Sequence, residues 1–400
     1  MRRLALTHRA VLNVPLARDV VGRSGDALAR SGHLMTERVV RALQQRGITS
    51  VYVEDLASAG IVLTGIAPQA VTAPVQALLA EFFARVQRAV EPVANQPAPA
   101  IVEALRGPTS PVASLRVNSL LSEIRNAAGV MAKVCAEADG RTGYLTDRTP
   151  DDDLVGHSLQ VAALAARIAT ALGFTEEALT GVAFGALLHD AGLVFVPVDI
   201  RTSPDRWTVP QRLRHQDHTV LGEALLTAVA RSYPSLPAIA AEHHEAQDGS
   251  GFPLGKRGGN RVLRSAERER ALNYLSLPSE IIAVADRYER LVSPGPGHPG
   301  LSPAEARYTL SSEAGTKLNA EVVARFLDTF PALPVGTEVR ITGGEYDGSR
   351  GIVTRPPTAA RPKPQVRVYA DRTGEPHTPV DVDLARFRDA SALLDEGRAA

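Results

Sequence analysis

Six of the chain's ten histidines fall between positions 157 and 244, where even spacing would put about two. They stand beside apolar runs. His157 leads into Ser158-Leu-Gln-Val-Ala162, the pair His189-Asp190 follows Phe184-Gly-Ala-Leu-Leu188, and His218 and the pair His243-His244 come after. Asp286 ends the run Ile281-Ile-Ala-Val-Ala285. A charged or polar group carried into a core by such a run is costly unless something neutralises it. A divalent cation would do so, and imidazole with carboxylate suits iron, manganese, zinc or nickel. The two oxygens of Asp190 would let it bridge two ions. A fold built on this sequence therefore has to make several helices converge on one point. His8, His33, His215, His298 and His377 are read as structural or surface residues.

Periodicity supplies the helices. Val161, Leu164, Ile168 and Leu172 recur at three to four residues, with Gly173 as a stop. Further helices are expected at 176–189, 210–231, 236–246, 279–291 and 303–328, with no convincing strand, so this block reads as all-α. Before it, Val39, Val40 and Leu43 follow the N-cap candidate Thr36, and Ile48–Val53 reads as a strand, which together make a small α+β unit. An amphipathic helix is expected over 71–90 and another over 112–138. Five prolines between Pro92 and Pro111 mark a linker or broken helix. After Pro334, Val339 and Ile341 alternate with polar residues, as do Val366 and Val368. Gly343-Gly344, Asp347-Gly348 and Gly351 punctuate them, and a β-barrel-like segment is expected. The expected divisions are 1–66, 67–145, 146–332 and 333–400.

Composition narrows the function classes. With 44 Lys+Arg against 44 Asp+Glu the formal charge is zero, which argues against a chain built to coat DNA or an acidic membrane. One cysteine, Cys135, excludes an intrachain disulfide and any Cys-based zinc finger. No stretch has 18 uninterrupted apolar residues, and His8, Arg9 and Asn13 deny the N-terminus a signal-peptide core. A cytoplasmic chain without membrane insertion is expected.

The segments His157–Ala162, Ala186–Gly192, His218–Gly222, His243-His-Glu-Ala-Gln-Asp-Gly-Ser-Gly-Phe-Pro253 and Val284-Ala-Asp-Arg-Tyr288 occur in one order. In that order they resemble the HD-GYP group of the HD-domain metal-dependent phosphohydrolases. The resemblance covers about residues 150–330. It implies a central HD-type helical bundle, flanked here by the small N-terminal unit and the C-terminal β segment. It also implies hydrolysis of cyclic di-GMP to pGpG or GMP through a water that bridges the metals. Carried onto this chain, His157, His189, Asp190 and Asp286 would hold one ion. Asp190, His218, His243 and His244 would hold a second, with Asp190 as the shared catalytic ligand, and Asp153 marks the place of a third. Iron or manganese is the expected metal. Gly251, Phe252, Pro253 and Arg287 would face the substrate, a cyclic dinucleotide. Other signalling proteins are compatible partners, and a homodimer is left open.

Three positions depart from the family pattern. Leu193 stands where the family carries a lysine, Glu289 follows Tyr288 where the family carries aspartate, and Ser293–Gly300 replaces a basic segment. Two cationic phosphate contacts are therefore expected to be missing and activity to suffer. The competing expectation is a metal-bearing, weakly catalytic module that serves as a cyclic-dinucleotide sensor or protein-interaction domain.

Overall fold

The computed structural model describes every residue except 7–10, 22–26, 47, 49, 63–66, 138–153, 202–206, 264–273, 294–299, 359–360 and 396–400. Asp153 and the Pro/Gly-rich 294–299 lie outside the described residues.

The helix Leu154–Ala171 buries 13 of its 18 residues, which makes it a helix apolar all round and hence the axis of the bundle. Around it pack Gln69–Val90, Asn118–Glu137, Glu176–Leu188, Leu277–Val292 and Ala320–Thr329. Thr175 caps Glu176–Leu188 by accepting from the Ala178 amide, and Glu176 and Glu177 oppose the helix dipole in the first turn. From there an apolar run carries the chain inward, so His189 and Asp190 arrive fully buried. Leu154–Ala171 and Glu176–Phe195 are long and apolar enough to cross a membrane by composition, yet 72% and 78% of the two segments are buried inside the fold.

Several expected helices divide. The 210–231 stretch is two helices, Val209–Gln216 and His218–Val229, with the turn at Asp217. The 303–328 stretch is Pro303–Glu313 and Ala320–Thr329. Asn319 restarts the second by accepting from the Glu321 and Val322 amides. The proline-rich 92–111 stretch contains a real helix, Ala98–Arg106. Pro99 sits in its first turn, where a missing N–H costs nothing.

At the N-terminus β1 (Arg2–Ala5) pairs antiparallel with β4 (Ser50–Val53), β2 (Val20–Val21) pairs with β3 (Ala27–Ala29), and Glu37–Gln44 is a helix capped by Thr36. At the other end β5 (Glu338–Thr342), β6 (Arg350–Arg355), β7 (Gln365–Ala370), β8 (Pro376–Asp383) and β9 (Ser391–Leu394) form one antiparallel sheet in the order β8-β7-β6-β5-β9. Its end strands have one hydrogen-bonded neighbour each, so the expected barrel is seen as an open five-stranded sheet.

These two ends meet, which the sequence did not foretell. Tyr52, Ala57 and Ile61 share an apolar cluster with Ile352, and Tyr369 packs against it. Arg2, 3% exposed, donates to Asp55 at 2.7 Å, pairs with Glu338, and lies 4.8 Å over the Tyr369 ring. A buried cation keeps its charge only with such partners.

Gly192 fixes how the 3-10 turn Ala191–Phe195 seats on His218–Val229. A Cβ there would lie 1.9 Å from the His218 carbonyl oxygen and 2.6 Å from the Gly222 nitrogen. Gly192→Ala should lower the free energy of unfolding by about 1–3 kcal/mol, as overpacking against backbone does. Gly181→Ala, at a helical position with nothing within 4 Å of the added carbon, should instead raise it by about 0.5–1 kcal/mol. Denaturant titration of the two variants checks the pair. Truncation at residue 333 should uncover Tyr52 and Ile61. Amide exchange is then expected to quicken in β1 and β4 while the helices around Leu154–Ala171 keep their protection.

Candidate metal centre

Four helix ends and one helix interior supply the cluster. His157 comes from the first turn of Leu154–Ala171, and His189 and Asp190 follow Glu176–Leu188. His218 opens its helix, His243 and His244 follow Ser235–Glu242, and Asp286 lies inside Leu277–Val292. His157, His189, Asp190, His218, His243 and Asp286 are each 3% exposed or less, and His244 is half-buried.

The two oxygens of Asp190 face two different groups. Oδ1 lies 3.2 Å from His218 Nε2 and 3.3 Å from His243 Nε2. Oδ2 lies 3.4 Å from His157 Nε2 and 3.5 Å from His189 Nε2. Asp286 Oδ1 closes the second group, 3.0 Å from His157 Nε2 and 3.8 Å from His189 Nε2. The sets Asp190/His218/His243/His244 and His157/His189/Asp190 each place their candidate ligand atoms within 4.8 Å of one another.

The other ring nitrogens are fixed from behind. Nδ1 of His189 meets the Ala186 carbonyl at 2.6 Å, Nδ1 of His218 the His215 carbonyl at 2.6 Å, and Nδ1 of His243 the Ala240 carbonyl at 3.0 Å. A carbonyl only accepts, so each Nδ1 carries the proton and each Nε2 presents a lone pair inward. Each carbonyl sits three residues earlier in its own chain segment, so helical geometry sets the tautomer. His157 Nδ1 instead donates to the fully buried Glu289 at 2.7 Å, and the other Glu289 oxygen accepts from Ser293.

Electrostatics follow from burial and neighbours. Burial pushes the Asp190 carboxyl up, but His189 and the Arg290 guanidinium outweigh it and hold Asp190 well below the usual carboxylate range. Asp286 is likewise held down, by Arg290 and His157 against its burial. Burial lowers His243 to about 4, and lowers His244 well below the ordinary imidazole value with His243 and His218 adding to it. Both are thus neutral ligands near pH 7. His157 goes the other way: burial opposes its charge, yet Glu289 raises it to about 10.

These donors fit a divalent cation. Among the described residues, His189 Nε2 and Asp190 Oδ1 are buried without a hydrogen-bond partner, and the Nε2 atoms of His218 and His243 face each other at 3.2 Å. Converging lone pairs of this kind repel unless a cation lies among them. Two ligands on bonds of about 2.1 Å to one ion sit roughly 3–3.5 Å apart, which matches the spacings around Oδ1.

The remaining expected site residues fare differently. Phe252 stacks on His244, with ring centroids 4.9 Å apart and 29° between planes. Gly251 allows this: a Cβ on it would meet the Glu245 and Ala246 backbone at 2.3–2.5 Å. Pro253 follows Phe252 in the same loop, which the Leu254 amide ties to Glu245 at 2.6 Å. Arg287 is engaged by Glu313, at 2.6 Å from Nη2 and 2.9 Å from Nε. Leu193 is 6% exposed in an apolar cluster with Val196 and Ile200, against Leu154 and Trp207. His215, read from sequence as structural, lies between Trp207 and His218, at 4.5 and 5.1 Å between centroids. The sequence reading missed Glu289 as the support of His157. Arg290, given no site role from the sequence, donates to Asp286 at 2.7 Å and to Asp190 at 2.9 Å. The available signal was spacing, since Arg290 is one helical turn beyond Asp286.

Residues 145–322 match the family model described as HD domain. The chain is 33% identical over 172 residues to a cyclic di-GMP phosphodiesterase of Thermotoga maritima, covering 43% of each chain. It is 26% identical over 258 residues to a cyclic di-GMP phosphodiesterase of Pseudomonas aeruginosa, covering 64% of this chain and 58% of that one. The chain thus spans about half the length of these curated relatives. A solved HDG"Y"P protein from Bdellovibrio bacteriovorus overlays on 82% of this chain and 98% of its own, with a TM-score of 0.41 and 15% identity, a likeness too loose to bear on the fold. Two histidine groups sharing one buried aspartate thus lie inside the region that matches the HD domain model and is similar to these phosphodiesterases.

Proposed function

We propose that the chain is a metal-dependent phosphodiesterase that opens cyclic di-GMP, or a related cyclic dinucleotide, to pGpG, GMP or both. The observation that carries this reading is the division of Asp190, with Oδ1 on one histidine group and Oδ2 on the other. The Thermotoga and Pseudomonas relatives are named for this reaction, and a Vibrio cholerae relative, 28% identical over 167 residues, is named for 3'3'-cGAMP. Iron or manganese, two ions per chain, suits the mixed nitrogen and oxygen donors. When bound, such ions neutralise charge on phosphoryl oxygens and make water acidic enough to act as a nucleophile.

The protein's own part is positioning. The backbone carbonyls behind His189, His218 and His243 hold three lone pairs on target, and Glu289 does the same for His157. Phe252, stacked on His244, offers an aromatic face at the edge of the cluster on which a base could rest. The divisions 1–66, 67–145, 146–332 and 333–400 belong to the same reading. Separate apolar cores over 4–53, 67–330 and 339–390 support the boundaries near 66 and 333. We read the chain as cytoplasmic. A weakly catalytic sensor is the second reading, and Arg290's place against Asp190 and Asp286 favours it.

Chain reconstituted anaerobically with iron(II) or manganese(II) should convert cyclic di-GMP to pGpG or GMP, followed by chromatography. Asp190→Asn should lose most of both ions and at least about a hundredfold in turnover, since even residues behind a ligand matter tenfold to a hundredfold. A variant that keeps wild-type metal content would sink the shared-ligand role. Loaded wild-type protein that binds cyclic di-GMP but leaves it intact would favour the sensor.

Leu193→Lys tests whether the missing family lysine is what limits the site. The new ammonium would enter an apolar cluster, so the variant should lose more than about 2 kcal/mol of stability and gain no affinity for cyclic di-GMP. An unchanged melting temperature with tighter substrate binding would mean that position 193 faces the phosphates.

A further inference from the structure

Around Asp190 the two groups of donors are not equivalent. On the Oδ1 side, His218 Nε2 and His243 Nε2 converge with Oδ1, and Oδ1 accepts no hydrogen bond among the described residues. On the Oδ2 side a cation of the protein is already in place. Arg290 donates from Nη2 to Asp190 Oδ2 at 2.9 Å and from Nε to Asp286 Oδ1 at 2.7 Å. Its Nη2 also lies 3.4 Å from His157 Nε2. Those two carboxylates are ligands that an ion at His157/His189/Asp190/Asp286 would need, while His189 Nε2 keeps no hydrogen-bond partner among the described residues. The guanidinium satisfies the carboxylates with the right sign of charge and in the forked geometry that suits them.

We infer that Arg290 is a built-in competitor for one of the two metal positions, so that the chain loads its ions in order. The Asp190/His218/His243/His244 position fills first and tightly. The His157/His189/Asp190/Asp286 position fills only when the Arg290 side chain swings out. This inference rests on the metal reading above and adds a regulation to it. A way out exists, because the Arg290 side chain is 36% exposed while Asp190 and Asp286 beneath it are buried. Displacement costs two charge-assisted hydrogen bonds, and an arginine and a divalent ion cannot share one pocket because their charges repel. The apparent affinity of the second position is therefore reduced by the fraction of molecules with Arg290 withdrawn. Two-ion loading, and whatever activity needs it, then follows metal supply more steeply than in a site without the arginine.

The test is a manganese(II) titration of the metal-free full chain, reading bound ion by equilibrium dialysis and free ion by electron paramagnetic resonance. The wild type should show one tight and one weak ion. Arg290→Gln keeps N–H donors for the carboxylates but removes the charge. It should tighten the weak ion at least about tenfold, the scale of one charged hydrogen bond, and leave the tight ion unchanged. Spin coupling between paired manganese ions should appear at correspondingly lower metal. Arg290→Lys restores a cation and should restore the weak step, which a merely structural role for the arginine would not do. Thermal melts of both variants confirm that folded protein is compared. Two ions bound alike in wild type and Arg290→Gln would overturn the competition and leave the metal reading standing. No ion bound by any form would overturn both.

Discussion

Everything at this centre depends on one buried carboxylate. Asp190 is 0% exposed, and an isolated ionised carboxylate at that depth is not tolerated. It is held as an anion because His157, His189, His218, His243 and Arg290 all approach it within 3.5 Å. Those five side chains come from separate elements of the bundle. The anion thus ties the helices together, and the apolar run that ends in Asp190 cannot shift without breaking the set. Gly192, two residues on, is bound by the same constraint, since its lack of a side chain lets the turn after Asp190 lie against the first turn of the His218 helix.

A carboxylate alone does not make a metal centre; orientation of the rings does. The three histidines fixed by carbonyls at i−3 show how little machinery this takes. A histidine at or just past a helix terminus finds an acceptor in its own last or preceding turn, and the tautomer is decided locally. His157, in the first turn of its helix, instead depends on Glu289 from another helix. Of the four supports, only this one is long-range.

That difference explains what could be read from the sequence. The helices, the converging His/Asp set and the capped helix after Thr36 were legible, because periodicity, local capping and the cost of burying polar groups all act over a few residues. Helix breaks at Asp217 and Ala314–Asn319 were not, because apolar spacing continues across them. Leu193 looked like a lost phosphate contact when aligned by motif. In space it fills an apolar cluster with Val196 and Ile200, which are near in sequence, and Trp207, which is not. Glu289 looked like a mild change from aspartate, and its meaning appears only with His157, 132 residues away. The seating of Arg2 between Asp55 and Glu338 is beyond any local pattern, since it joins the two ends of the chain.

Arg290 is the instructive case, because its signal was local and still misleading. An Asp and an Arg at i and i+4 on a helix ordinarily make a surface ion pair of small consequence. Here the helix that carries Asp286 into the core also brings the next turn over the same opening, so Arg290 reaches past Asp286 to Asp190 on a different helix. The aspartate is held by burial, whereas the arginine side chain is 36% exposed and is held to the charges below it. A pair of that kind is asymmetric: the acid stays and the base can leave. When the acid is also a candidate metal ligand, the same helical repeat that builds the position supplies an occupant for it. The strength of the acid's hold on any cation then sets how hard the occupant is to displace.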